Sequence, residues 1–396
     1  MRESYIIGSV RTAVGKMGGA LKDVTSDFLA EKVIREVLHR YGKEVEVDEV
    51  ILGQAKQSQD QSNVARLAAL RADLPVTVTG YTVHRQCGSG LQAINNADMQ
   101  IKLGLSDVII AGGVESMSTA PYYLRNARFG YRAGSGMILD PNTESQPGSQ
   151  PREKYGELTM GLTAENLAEK YNISREEQDE FAHRSQVLAN AAIKEGRFKE
   201  EIVPYEVKEG KSSFIFDTDE HPRLSSPEVL AKLRPVFKEG GTVTAGNSSG
   251  RNDGASALLM MSKEKAEYYG LKPQARIVAQ AVSGVSPEIM GIGPVDSTKK
   301  ALKQAGLTMD DIDLIELNEA FAAQALAVIR ESGMDLDKVN VNGGAIALGH
   351  PIGATGAILT TKLLHEMKRR GSRYGLVTLC IGGGQGISTI IEYLDR

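Results

Sequence analysis

Residues 81–103 read YTVHRQCGSGLQAINNADMQIKL: an apolar strand-like run, a glycine-rich turn, then apolar residues at helical spacing. Residues 341–368, VNGGAIALGHPIGATGAILTTKLLHEMK, pass through the same order much later in the chain. Outward from the first copy, strand-like runs occur at 5–10, 50–53, 76–84 and 108–111, with helical stretches at 28–41 and 91–103. Outward from the second, strands are expected at 276–281, 312–317, 339–342 and 375–380, with helices at 297–305, 320–330 and 354–368. The last strand runs into Ile381-Gly382-Gly383-Gly384, as 107–111 runs into Gly112-Gly113. The strands are apolar enough to be buried on both faces. A duplicated α/β unit is the economical reading. Two such units packed together would set equivalent strand ends around one shared crevice.

The chain has 396 residues, more than one ordinary core needs, which suggests two or three compact units. Hydrophobic residues at 41% and charged residues at 24% exclude a disordered or fibrous chain. A net charge of −4 gives no global attraction to nucleic acid or to an anionic membrane, so neither is expected as a partner. A phosphate-bearing ligand would have to be met by local cations. The two cysteines, Cys87 and Cys380, exclude a disulfide scaffold and suit a reducing cytosol. No signal-like stretch opens the chain, and no run approaches the roughly 20 apolar residues that cross a bilayer. The end, Leu394-Asp395-Arg396, is not a peroxisomal address. A cytoplasmic protein is the expectation.

Between the halves, 121–246 breaks the pattern. Residues 126–155 are rich in Gly, Pro, Ser and Arg and read as a long surface loop. Amphipathic helices are expected at 163–171 and 175–195, the second opened by a capping box of Ser174 and Glu177. This segment is expected to be an inserted loop domain. The halves would then be 1–120 with 247–270, and 271–396.

Four residues carry chemistry in this pattern. Cys87 follows a strand and precedes Gly88-Ser89-Gly90 and a helix, where unpaired N–H groups and the helix dipole favour a thiolate. An inert buried thiol is the alternative. Cys380 stands at a strand end before three glycines, a similar place, with a core cysteine again the alternative. His350 is the one histidine of six in a glycine-rich loop entering a helix, where a neutral imidazole can donate to a developing oxyanion. Asn318, at the end of a strand, can hold a water or an oxyanion, or simply cap a helix. No Cys-x-x-Cys, helical His pair or Cys/His cluster suggests a metal. The glycine runs match neither nucleotide-phosphate cradle, and no Gly-x-Ser-x-Gly elbow appears.

Taken together, Cys-Gly-Ser-Gly-Leu-Gln-Ala (87–93), Asn-Glu-Ala-Phe-Ala (318–322), Gly-Gly-Ala-Ile-Ala-Leu-Gly-His-Pro-Ile-Gly (343–353) and Cys-Ile-Gly-Gly-Gly (380–384) resemble the thiolase family, in the family's order. The likeness extends over nearly the whole chain, including Arg11-Thr12, Leu233-Arg234-Pro235 and Thr244-Ala245-Gly246-Asn247. It implies an α/β fold of two βαβαβαββ halves in an α/β/α/β/α core with the inserted loop domain. It implies reversible Claisen condensation of two acetyl-CoA to acetoacetyl-CoA and CoA, or thiolytic cleavage of a 3-ketoacyl-CoA, through an acyl-cysteine. Cys87 would carry the acyl group and Cys380 would handle the α-proton. His350, with a water on Asn318, would stabilise the enolate, and His350 would help activate Cys87. The backbone N–H groups of Cys87 and Gly382 would form the other oxyanion hole. No permanently bound cofactor is implied; coenzyme A and acyl-CoA are substrates. Coenzyme A would lie over the loop domain, with Arg223, and less directly Lys232, as phosphate partners and Ser249 on the pantetheine. Met160 and Phe237 match positions that shape the acyl pocket. A homodimer or homotetramer is implied.

Three places depart from the family pattern: His84 where relatives commonly carry Asn, Thr159 where acetoacetyl-CoA-making relatives often carry His, and the 126–155 loop. They bear on chain length and oligomer size. A longer-chain 3-ketoacyl-CoA thiolase of fatty-acid β-oxidation is the alternative within the family. A β-ketoacyl synthase would use one Cys and two His, whereas this chain offers one His, Asn318 and a second Cys. A non-catalytic acyl-CoA or lipid carrier should lack one of the four residues. A reversible Cys87–Cys380 disulfide is compatible with catalysis as a side role.

Overall fold

The computed structural model describes residues 2–395. The first half supplies strand β1 (Ser4–Thr12), helix α1 (Ser26–Tyr41), β2 (Glu49–Gly53), α2 (Val64–Arg71), β3 (Thr79–Val83), α3 (Ser89–Leu103) and β4 (Val108–Ser116). The inserted segment contributes α4 (Met160–Lys170) and α5 (Arg175–Lys194), and the chain returns through β5 (Asn252–Ser262). The second half supplies β6 (Ala275–Gly284), α6 (Gly293–Ala305), β7 (Leu314–Leu317), α7 (Ala322–Ser332), α8 (Thr355–Arg370), β8 (Tyr374–Ile381) and β9 (Gln385–Tyr393).

The strands lie in the order β3-β2-β4-β5-β1 in the first half and β6-β9-β8-β7 in the second. β2 is parallel to β3 and β4, and β7 to β8; β5 and β9 run antiparallel to both their neighbours. Reversing the list shows the same pattern twice. The two sheets meet edge to edge at one residue pair, Ile6 with Ala275. The strand predicted at 339–342 shrinks to a single bridge from Val339 to Ile315. Its continuation fails because Asn340 adopts φ 47° and its side chain bonds Leu317 N and O in place of a ladder. Strands β5 and β9 were not evident in the sequence. β5, NDGASALLMMS, has no β-branched residue, and its pairing on both edges overrides that propensity.

Adjacent strand residues face opposite layers. Val108 and Ile110 join Val33, Ile34 and Val64 on the outer side of the first sheet, while Ile109 and Ala111 face Ile94 and Ala357 on the inner side. In β8, Val377 and Leu379 face that inner layer and Leu376 packs outward with Val328. Helices α3 and α8 therefore form the middle layer, α1 with α2 one outer layer, and α6 with α7 the other. This is the α/β/α/β/α core expected from the duplication.

The two middle helices touch at their first turns. A Cβ on Gly356 would sit 2.4 Å from the backbone N of Leu91, and one on Gly90 would sit 2.9 Å from Gly353 O. Such separations are closed to any side chain. The glycines in the two turns thus let two helix starts come into backbone contact, which brings Cys87 and His350 to one place.

The inserted segment is tied to the core by buried charge. Arg11 of β1 donates to Glu201 at 2.7 Å and to both carboxylate oxygens of Asp219, and all three side chains are buried. Helix α5 begins with the capping box of Ser174 and Glu177. The 126–155 stretch is not simply a surface loop. Residues 121–138 are exposed, but Asn142, Pro147 and Gln150 are buried, and 142–149 turns inward over the site described below. Its polar residues look like loop composition because they line a cavity rather than a core.

Arg11→Met should strand two buried carboxylates without a countercharge and cost about 3–5 kcal/mol. Urea unfolding of the variant against the parent chain reads this directly; a shift under 1 kcal/mol would contradict the role given to the triad.

Candidate active site

Cys87 lies in the turn from β3 to α3. Gln86 before it holds φ 45°, an uncommon conformation for a non-glycine residue, and Ser89 Oγ fixes the turn by donating to Gln86 O at 2.6 Å and accepting from Arg85 N at 2.9 Å. Gly88 next to it has no room for a side chain: a Cβ would meet Ile381 Cδ1 at 2.6 Å. The end of β8 therefore packs directly on the nucleophile turn. Cys87 is half-buried on the wall of a cavity of about 200 Å³, and Cys380, fully buried, packs behind that wall against Met290, Ala320 and Phe321.

The structure places Cys87 at the helix terminus that the sequence predicts, but burial opposes the thiolate expected there. The helix opens at Ser89 with Gly88 as its cap, and burial pushes the Cys87 thiol above its ordinary value. The backbone N–H groups of Gly382 and of Cys87 itself, and the Lys56 ammonium, act the other way without overcoming burial. Burial, and then the nearby Cys87, raise Cys380 as well. Both thiols are held protonated at neutral pH. A base is required.

His350 lines the same cavity as Cys87. Its backbone N–H donates to Asn252 Oδ1 at 2.9 Å, and its Nδ1 lies 2.6 Å from Thr355 Oγ1. Thr355 Oγ1 also donates to Pro351 O at 2.9 Å, so its proton is engaged there and the hydroxyl accepts from Nδ1–H. That tautomer leaves the lone pair on Nε2. Nε2 is 3.5 Å from Asn318 Nδ2. Burial, with Lys56 adding to it, holds His350 well below the usual imidazole range, at about 4, so the ring is neutral at physiological pH.

Asn318 follows β7 and is held by its backbone N–H on Thr378 O at 3.0 Å; its Oδ1 is buried without a protein partner. Its capping alternative fails, because α7 begins only at Ala322. Glu319 beside it is structural: it accepts from Ser185 Oγ, Asn340 Nδ2 and the Ile346 N–H, holding the glycine loop that carries His350. Gly382 lines the cavity, as do Met160 and Phe237, the latter edge-on to Phe321 at 6.0 Å.

Ser249 lines this cavity and also a second, outer one of about 940 Å³ that shares its Phe237, Ser248 and Arg251 wall. Arg223 borders the outer cavity, along with Lys16, Lys22 and Arg251. Lys232 does not line it and is exposed. His84 is likewise exposed and lines neither cavity, and Thr159 caps α4 by accepting from Leu162 N at 3.4 Å. Sequence reasoning passed over Thr355, Asn252 and Lys56. Thr355 and Asn252 act through contacts between distant segments, and Lys56 sits in the polar run QAKQSQDQ, which looks like surface.

A half-buried and a fully buried thiol, a neutral imidazole and an amide lie together with backbone N–H donors beside a cation-rimmed groove, chemistry suited to acyl transfer. Residues 4–264 match the thiolase N-terminal domain and residues 271–393 the thiolase C-terminal domain. The chain belongs to the thiolase family. It is 52% identical over 405 residues to an acetyl-CoA acetyltransferase of Syntrophomonas wolfei, covering 99% of this chain and 100% of the relative. The crystal structure of the Bacillus anthracis acetyl-CoA acetyltransferase superposes with a TM-score of 0.96 at 52% identity, covering 100% of this chain and 99% of that one. Human mitochondrial 3-ketoacyl-CoA thiolase superposes with a TM-score of 0.94 at 45% identity, covering 99% of each chain.

The sign of the His350 shift gives a pH prediction. An unfolded histidine binds a proton near 6.5 and the folded one only near 4, so stability is lost as pH falls through that window. His350→Asn should remove the loss between pH 6.5 and 4, seen as a flatter curve of urea midpoint against pH. An unchanged curve would mean that His350 is not the group responsible.

Proposed function

We propose that this thiolase joins two acetyl-CoA into acetoacetyl-CoA and CoA, and cleaves short 3-ketoacyl-CoA thioesters in reverse, through an acyl group on Cys87. The observation that carries this is the neutral His350 with its lone pair at Nε2, 3.5 Å from Asn318 Nδ2 and on the same cavity wall as Cys87. Attack by Cys87 Sγ on a thioester carbonyl passes its proton to His350 Nε2, and CoA departs, drawing the proton of the Cys380 thiol and leaving Cys380 as the thiolate. The N–H groups of Cys87 and Gly382 stabilise the oxyanion that forms. In condensation the Cys380 thiolate left by the departure of CoA takes the α-proton of the second acyl-CoA, while Asn318, through a water, and the protonated His350 Nε2 hold the enolate oxygen. His350 returns its proton to Cys87 when the acyl group is transferred. In cleavage the Cys380 thiol returns that proton, a role that its burial suits. Coenzyme A runs along the outer cavity, its pantetheine at Ser249 and its phosphates near Arg223.

The inner cavity of about 200 Å³, closed by Met160, Phe237, Met290 and Phe321, favours a short acyl group over the longer chains of the fatty-acid reading. Two free thiols fit a reducing cytoplasm. For assembly, β3 ends the sheet with an open edge, and Phe129, Met137 and Ile138 expose 91%, 76% and 71% of their surface around the hairpin of Tyr123–Leu124 with Ile138–Leu139. These support pairing through β3 and a second contact through the hairpin, giving a homotetramer.

Incubation with acetyl-CoA should add an acetyl mass to Cys87. Cys380→Ser should still acylate, yet lose condensation and cleavage by about 10²–10⁴-fold. Normal turnover of that variant would refute the acid/base assignment. Light scattering should give four protomers, falling to two for a Phe129→Asp, Ile138→Asp double variant; four protomers in the variant would exclude the hairpin contact.

A further inference from the structure

The two oxyanion donors come from different halves of the chain. The Cys87 N–H belongs to the turn after β3, and the Gly382 N–H to the turn between β8 and β9. On the core side these turns meet where Gly88 packs on Ile381, and Arg85 Nη1 donates across them to Gln385 Oε1 at 3.1 Å. On the cavity side Ser149, from the inserted segment, sits against both. Its Oγ accepts from Gln86 Nε2 at 3.3 Å, and Gln86 is the residue at φ 45° directly before Cys87. The same Oγ is 3.3 Å from the place that a Cβ on Gly382 would take, and Ser149 O is 2.7 Å from the place of one on Gly383. Gly383 holds φ 87°, so conformation and close approach both exclude a side chain there.

Ser149 is itself held. Its hydroxyl donates to Ser145 O at 2.8 Å, which leaves the oxygen free to accept from Gln86. Buried Gln150, next along the chain, fastens the segment with its side-chain Nε2, 3.0 Å from Leu158 O and 3.2 Å from Gln146 O and Pro147 O. A non-glycine residue at positive φ persists only where its surroundings hold it. Ser89 holds the carbonyl of Gln86, and Ser149 its side chain. We infer that Ser149 is a positioning residue for the oxyanion hole: through Gln86 and the Gly382-Gly383 turn it sets the backbone N–H groups of Cys87 and Gly382 at the spacing that the thioester oxyanion needs. This rests on the thiolase reaction proposed above. Order in the inserted segment at 145–149 and competence of the oxyanion hole then become one property. The Ser149 hydroxyl makes no bond to the reacting carbonyl, so its effect is expressed only as charge develops on that oxygen.

Acylation and alkylation of Cys87 separate this role from others, because only acylation passes through an oxyanion. Both are read as mass on Cys87. Ser149→Ala should lower acetyl transfer from acetyl-CoA, relative to alkylation by iodoacetamide, by about 10–100-fold, the cost of a misplaced donor. In thiolysis of acetoacetyl-CoA the loss should fall on kcat, with KM held within about twofold. Gln86→Asn keeps a residue that tolerates positive φ but withdraws the amide from Ser149. It should show the same loss, and the double variant no more than either. An unchanged ratio of acylation to alkylation in Ser149→Ala would overturn the inference, whether neither rate fell or both fell together. So would losses that multiply in the double variant, or a rise in KM with kcat held, which would make Ser149 a substrate contact. Parent protein that is alkylated but takes no acetyl group from acetyl-CoA would refute the thiolase reaction itself.

Discussion

The close approach of two helix starts governs this molecule. Helices α3 and α8 meet through Gly90, Gly353 and Gly356 at distances that leave no space for a Cβ. A single methyl there would force apart the middle layer, and with it both sheets, since each packs on that layer through Ile109, Leu258, Val377 and Leu379. The same contact decides chemistry. Cys87 precedes one helix and His350 the other, so the distance between thiol and imidazole is set by backbone packing rather than by flexible side chains. Gly88 against Ile381 repeats the device and brings the end of β8, with Cys380 and Gly382, to the same point.

Burial then dictates how the assembled groups behave. Water is largely excluded, so charged forms are penalised: both thiols rise, and His350 falls to about 4. The consequence is a resting site of neutral groups in which proton transfer accompanies each bond change. The Thr355 hydroxyl, by occupying Nδ1, selects which imidazole nitrogen is free to take part. Some charges buried elsewhere are paired, Arg11 with Asp219 and Glu201 and Lys362 with Glu316 at 2.8 Å, whereas Glu319 is held by neutral donors.

The inserted segment shows how composition misleads. Residues 142–149 carry Asn, Ser, Gln, Pro and Gly, the vocabulary of an exposed loop, yet they form one wall of the acyl cavity. A polar cavity and a solvated surface select similar residues, because both must satisfy hydrogen bonds. Strand β5 misled in the other direction: its Ala, Leu and Met favour a helix in isolation, and only pairing on both edges makes it extended.

From the sequence by itself came the duplication, the apolar strands and the glycine-rich turns that hold Cys87, Asn318, His350 and Cys380. Those features are local, written in periodicity and in residues that a turn requires. The tertiary structure alone decided the protonation of these groups, the tautomer of His350, the placing of Thr355, Asn252 and Lys56 around them, and the exclusion of Lys232 and His84 from the cavities. Each of these depends on desolvation or on contacts between segments far apart in the chain. Neither quantity exists until the two halves have closed on each other.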